Sequence, residues 1–245
     1  MGRSHAWSGA TGWVAGCAVV DGLGHRPSPL TVVVGAVVAA GCAVLPDVDH
    51  PQATVARVFG PVSQAVSRVL ARGCARVHAA TRTRLDRPDL DGHRTVTHSA
   101  VFAVALGALT AAVCLLGRVP AVVVLFVSAG LAARSMLSKR RRGTFGATGI
   151  ALGAALFGWW AFRTGSAWWL GVPVASGCLV HCLGDALTNS GCPILWPLRI
   201  CGRRWFLVGP PRAVRFRTGG VVECWVVGPV LLVGFVGAAW ALAVL

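Results

Sequence analysis

Seven apolar stretches divide the chain: residues 6–23, 29–45, 99–117, 119–137, 144–162, 167–183 and 225–245. Each is close to the roughly 20 residues a helix needs to cross a bilayer. Only 13% of residues are charged against 55% apolar, with a mean hydropathy of +0.68, too few polar groups to cover a soluble domain of this length. The expected fold is all-α: a polytopic transmembrane helix bundle of about six or seven spans, forming a single domain over 1–245. The first stretch is the weakest, because Gly9, Gly12 and Gly16 dilute it and Asp21 sits inside it. No small-x-small cleavage pattern follows a compact apolar core, so it reads as a first membrane helix and not as a signal peptide.

Charge orients these spans. With the N-terminus inside, the inner segments hold Arg3, eight Arg between positions 57 and 94, Lys139 to Arg142, and six Arg from 199 to 217. The outer loops hold Arg26, Arg118 and Arg163, so the basic residues fall on the cytoplasmic side. The net charge of +15 is accounted for by this topology, and no nucleic-acid-binding motif accompanies it, so no nucleic acid partner is expected. Trp159, Trp160, Trp168, Trp169 and Trp225 fall near span ends, where interfacial anchors belong, although tryptophans also fill space between helices.

Between the second and third stretches, residues 61–80 read as an amphipathic helix on the cytoplasmic side. Val62, Val66, Val69, Leu70 and Val77 share one side, and Arg68, Arg72 and Arg76 recur every four residues on another. Such a helix suits an anionic lipid surface; a solvated basic loop is the other reading. The Pro-, Trp- and Arg-rich segment from 193 to 220 is expected to fold over the same face.

Ionisable residues are sparse in such a chain and costly within apolar surroundings, so their clustering points to function. Three of the eight acidic groups and four of the seven histidines fall in Asp47-Val48-Asp49-His50, in His93-Arg94-Thr95-Val96-Thr97-His98, and in His181-Cys182-Leu183-Gly184-Asp185. In the topology above these clusters close the second stretch, open the third and close the sixth, while His5 opens the first and Glu223 precedes the seventh. All lie at the inner surface.

Two prolines bracket the first cluster, and an extended backbone there sends Asp47 and Asp49 to one side and His50 to the other. His181 and Asp185, four apart, share a helix face. Thr97 is expected to cap the helix that follows His93 and His98. Imidazole and carboxylate together suit a divalent cation such as Zn, Mn or Fe. Asp47, Asp49, His50, His93, His98, His181 and Asp185 exceed one four-coordinate shell; either two ions bind or some of these groups support and catalyse. His5 is a further candidate ligand. Asp86, Asp89 and Asp91 read as solvated neighbours, and His25 and His78 as structural. The nine cysteines form no C-x-x-C pair and read as small apolar residues.

The motifs L-P-D-x-D-H at 45–50, H-R-x-x-T-H-S at 93–99 and H-x-x-x-D-x-x-T-x-x-G at 181–191, followed by Pro193-Ile194-Leu195-Trp196-Pro197 and by Arg217-Thr218-Gly219 with Glu223, resemble the LexA-associated inner-membrane metal-dependent hydrolases. The match runs in order over nearly the whole chain. It implies a metal-dependent hydrolase of the inner membrane, with the His and Asp of these motifs as ligands. The segment between His50 and His93 is a long, Arg-rich insertion. Glu223, the only Glu, is the candidate general base, and Arg94 and Arg217 are candidates to hold an anionic group. A lipid or small amphiphile carrying a phosphoester is the natural substrate at the cytoplasmic boundary, with an amide or peptide bond as a further possibility. A metal-binding transporter and a non-catalytic scaffold are the alternative classes; ligands gathered at one surface rather than at the midplane favour chemistry over passage.

Overall fold

The structure is a computed structural model that describes residues 2–53, 55–58, 60–88, 92–137, 144–163 and 166–244. Among the described residues there are eight α-helices: α1 (Gly2–Gly22), α2 (Pro29–Cys42), α3 (Gly60–Thr81), α4 (Ala100–Cys114), α5 (Arg118–Met136), α6 (Thr144–Ala161), α7 (Gly171–Ala186) and α8 (Gly228–Val244). Seven of them follow the seven apolar stretches, and α3 is the amphipathic helix. Among the described residues there is no strand, only isolated bridges such as Cys192 with Val208.

Three helical stretches are long and apolar enough to cross a bilayer: Pro29–Asp49, Arg118–Met136 and Glu223–Val244. Ala100–Cys114 and Gly146–Ala161 are apolar but shorter. Polar residues dilute α1, which carries His5, and α7, which carries His181 and Asp185, has only 16 residues. Three full-length candidate spans with shorter apolar helices is therefore what length and composition support, fewer than six or seven. The basic run 139–142, which helped orient the chain, lies outside the described residues.

Helix α2 is central and packs on α1, α5 and α7; α4 lies on α7, α6 on α5, and α8 on α1. Its start is fixed by Ser28, whose hydroxyl accepts from the Thr31 amide at 3.1 Å ahead of Pro29 at the first turn. Close approach rests on small residues, as lipid-embedded helices require. Gly9 of α1 and Gly177 of α7 both lie against the Ala39 carbonyl of α2, where a Cβ would clash. The helices that carry His5, Asp47 and His181 are thereby drawn to one axis. At the opposite end of the bundle the Arg118 guanidinium lies 3.6 Å over the Trp159 ring, and Trp160 and Trp168 are exposed, as in an aromatic belt. Trp169 instead packs against the core, so both expected uses of tryptophan occur.

Helix α3 stands apart from the bundle and packs on the one-turn helices Pro46–Asp49, Val55–Arg57 and Val96–His98. Its inward stripe is Ser67, Cys74 and His78, while Val62, Val66 and Val69 are at least half exposed. Gly92, at φ +93°, backs directly onto the Ala71 carbonyl of α3, a position open only to glycine.

Asp86 corrects the expectation of a solvated turn. It is buried and accepts from the Thr83 hydroxyl and amide and from the Arg204 and Trp205 amides. Burial works against its charge, but these donors win and hold the carboxyl below its usual range. Asp89 and Asp91 lie outside the described residues. Trp205 stacks on Trp196 and lies 5.0 Å from His78, so the 193–220 segment is fastened to the end of α3.

Gly177→Leu is expected to force α7 off α2 and to destabilise the fold by about 1–3 kcal/mol or more. Gly237→Leu, where nothing lies within 4 Å of the added carbon, leaves stability unchanged; thermal denaturation of the two variants in detergent measures the difference.

Candidate metal centre

The stretch after α2 is a turn of 3-10 helix, Pro46–Asp49, and not the extended segment expected from its prolines. Pro46 fits the first turn, where its missing N–H costs nothing. The tight turn sends Asp47 and Asp49 to different sides of one imidazole, that of His98. His98 itself ends a second 3-10 turn, Val96–His98, ahead of α4. The N-cap of α4 is Ser99 rather than Thr97: its hydroxyl accepts from the Phe102 amide at 3.2 Å. Thr97 is thereby free for the site.

Four side chains from three elements meet. His98 Nε2 and His181 Nε2 face one another at 3.3 Å, and each lies 3.6 Å from Asp47 Oδ1 and 3.5 Å from Asp185 Oδ2. His98, His181 and Asp185 are fully buried. The tautomers follow from the outer nitrogens. His181 Nδ1 donates to the Ala43 carbonyl at 2.8 Å, and His98 Nδ1 lies 3.0 Å from the Thr97 hydroxyl, which itself donates to Asp49 Oδ2 at 2.5 Å. Both Nε2 lone pairs therefore point inward alongside two carboxylate oxygens: four acceptors about one point and no donor.

Such a set can hold a cation. All four atoms lie within 4.8 Å of one another, and five of the six separations are 3.3–3.6 Å; corners of a tetrahedron about 3.5 Å apart lie about 2.1 Å from its centre, which is the bond length of Zn to imidazole nitrogen and carboxylate oxygen. Neither oxygen of Asp185 accepts a well-aligned hydrogen bond among the described residues. Without an ion, burial opposes charge on His98, yet hydrogen bonding to Asp47 and Asp49 and their charge outweigh it and push its pKa up to about 10, so that a proton stands on the ring where a cation would otherwise take the lone pair. The cage calls for positive charge at its centre.

Around it stands a supporting ring. Arg94, in the left-handed region at φ 55°, places Nη2 3.0 Å from Asp185 Oδ1, and its Nη1 donates to the Thr188 hydroxyl and the Gly191 carbonyl. His93 Nδ1 lies 2.8 Å from Asp49 Oδ1, which makes Asp49, His93 and His98 a second group with metal-binding spacing. The His50 ring is 4.8 Å from that of His93 but belongs to neither group. His5 stacks on His181 at 4.1 Å and has Nε2 3.6 Å from Asp185 Oδ1, also outside both groups. The sequence clusters thus converge, with Asp47, His98, His181 and Asp185 innermost.

Glu223 opens a π-helical turn, Glu223–Val227, ahead of α8. Its Oε1 accepts from the Ser4 hydroxyl and its Oε2 from the Gly219 amide, so it braces the start of α1. A cleft of about 330 Å³ reaches Asp47 from another side and is lined by His50, Gln52 and His93. The roles of Thr97 and Thr188 are not evident from spacing alone, although both threonines belong to the motifs. All nine cysteines are free and none joins the cage.

The profile of the family described as YdjM inner membrane protein matches residues 1–138 and 126–244. Neither a curated protein nor a solved structure matches the chain.

Removing the guanidinium tests the supporting ring. Arg94→Leu strands a buried carboxylate and is expected to cost about 3–5 kcal/mol of stability. Arg94→Lys restores charge but not the fork, and recovers only part of the loss in the same denaturation assay.

Proposed function

Because the chain belongs to the YdjM inner membrane protein family, we propose that it is a membrane-bound hydrolase dependent on a divalent metal ion, acting at the cytoplasmic face on an amphiphile that carries a phosphoester. The observation that supports this most is the cage itself: two imidazole nitrogens 3.3 Å apart, each 3.5–3.6 Å from two carboxylate oxygens, in an otherwise apolar bundle. Zn, Mn or Fe suits that donor set. A bound ion of this kind lowers the pKa of a coordinated water toward ~7 and polarises the bond to be cleaved.

The chain's own residues supply the rest. Asp47, His98, His181 and Asp185 are the proposed ligands; Asp49 through Thr97, and the Ala43 carbonyl, hold the two imidazoles in their ligating tautomers. Arg94 is a positioning residue that holds Asp185. His93 lies on the open cleft beside Asp47, is anchored by Asp49, and is our first choice to move a proton there. Glu223 is the second candidate base, on the opposite flank beyond His5.

The cytoplasmic orientation is supported by the basic residues of α3 and of the 193–220 segment, which flank the cage, and by the alternation of helix ends. His5 starts α1, Asp47 follows α2, His98 precedes α4 and Asp185 ends α7, all at one end of the bundle. Six or seven helices in alternating directions account for that arrangement. The exposed Val62, Val66 and Val69, with Arg68, Arg72 and Arg76 alongside, suit α3 to an interfacial seat against anionic lipid.

Elemental analysis of the detergent-purified protein is expected to find about one divalent ion per chain, lost in Asp47→Ala and His181→Ala, and Asp49→Ala weakens binding about 10–100-fold. Phosphomonoester or phosphodiester hydrolysis disappears with the metal. Metal without turnover supports the scaffold reading instead, and metal uptake into vesicles supports transport.

With metal retained, His93→Ala is expected to lower kcat by about 10²–10⁴, the range of general acid–base catalysis, and Glu223→Gln by less than tenfold. The reverse ranking assigns the proton to Glu223.

A further inference from the structure

Helices α7 and α8 both lie against α1 but make no substantial contact with one another. The space between them is a groove of about 210 Å³. Val180 and Leu183 of α7 form one wall, Leu231 of α8 and Val227 just before it the other, and Ser8 and His5 of α1 the floor. The walls are apolar and open outward, Leu183 being 57% exposed. The inner end is polar, where Thr188 and Glu223 join His5.

His5 is the informative group. It is 8% exposed, its Nε2 lies 3.6 Å from Asp185 Oδ1, and its other nitrogen, Nδ1, is on the side of Gly184. A Cβ at position 184 would stand 3.5 Å from that nitrogen. Gly184 and His5 both line the groove, and the His5 ring stacks on His181 of the cage.

We propose that the α7–α8 groove binds one acyl chain of a membrane amphiphile, whose polar head meets His5 Nδ1 at the threshold of the cage. The groove is smaller than the roughly 300 Å³ at which pockets for ring-bearing small molecules begin, and so fits a single unbranched chain. A water-soluble ligand has no reason to enter between Val and Leu walls from the lipid side, whereas an amphiphile already has its chain at that depth and its head at the boundary. The groove's meaning as a substrate-tail site rests on the hydrolase reading; its occupancy by a chain does not.

The test uses the full-length protein in nanodiscs of phosphatidylcholine and phosphatidylglycerol. The probe is a single-chain alkyl phosphate with a mid-chain diazirine and a terminal alkyne; adducts are mapped by mass spectrometry after photolysis. Adducts are expected to concentrate on Leu183 and Leu231 and to be competed by excess unlabelled alkyl phosphate. Leu231→Trp fills the groove and lowers labelling there about tenfold, as loss of about two buried methylenes would. Leu183→Trp does the same from the other wall, and Val236→Trp, on the exposed side of α8, leaves labelling unchanged. Unaltered metal content shows that each variant is folded. Adducts spread equally over α6 and α8, and not competed, overturn the proposal. Because labelling needs no turnover, focused labelling without hydrolysis overturns only the hydrolase reading, and hydrolysis with unfocused labelling overturns only the groove.

Discussion

Four acceptors that face one point inside an apolar bundle form the constraint on which the rest of this structure depends. Carboxylates and imidazoles in low dielectric repel one another and gain nothing from water. The surroundings are arranged to hold them there regardless: a backbone carbonyl orients one ring, a threonine hydroxyl links the other to Asp49, and Arg94 restrains Asp185. Each support comes from a different part of the chain, so the site is a product of the whole fold rather than of one loop.

Helix packing serves the same end. The glycines that let α1 and α7 close on α2 sit about two turns or less from His5, His181 and the end of α2, so tight packing and ligand placement are one requirement. The outer helices are under no such demand. Helix α8 has no buried residue and is joined to the bundle through α1 alone among the main helix contacts. Rigidity is concentrated where the ligands are, and the periphery is left to the lipid.

Much of this was legible in the amino-acid order because membrane chains carry few ionisable groups, and each therefore carries information. Apolar runs gave the helices, and alternation of helix ends placed His5, Asp47, His98 and Asp185 on one surface. What escaped the reading was local. The two prolines around Asp47 suggested extension, but Pro46 suits the first turn of a 3-10 helix, and that turn separates Asp47 from Asp49 around His98. Thr97 looked like a cap because Ser99 competes for the same duty two residues on, and only geometry shows which hydroxyl reaches Asp49. Asp86 looked solvated because its four donors come from its own turn and from residues more than a hundred positions later. Span number was legible only in part: among the described residues three helical stretches have full spanning length, while α4, α6 and α7 are shorter than their apolar stretches suggest and α1 is diluted by polar residues.

Helix α3 wears its polarity reversed: serine, cysteine and histidine turn toward the protein, valine and leucine away from it. It is held to the protein through that polar stripe, with Gly92 against Ala71 and Trp205 against His78, so its apolar side is left to meet whatever surrounds the molecule.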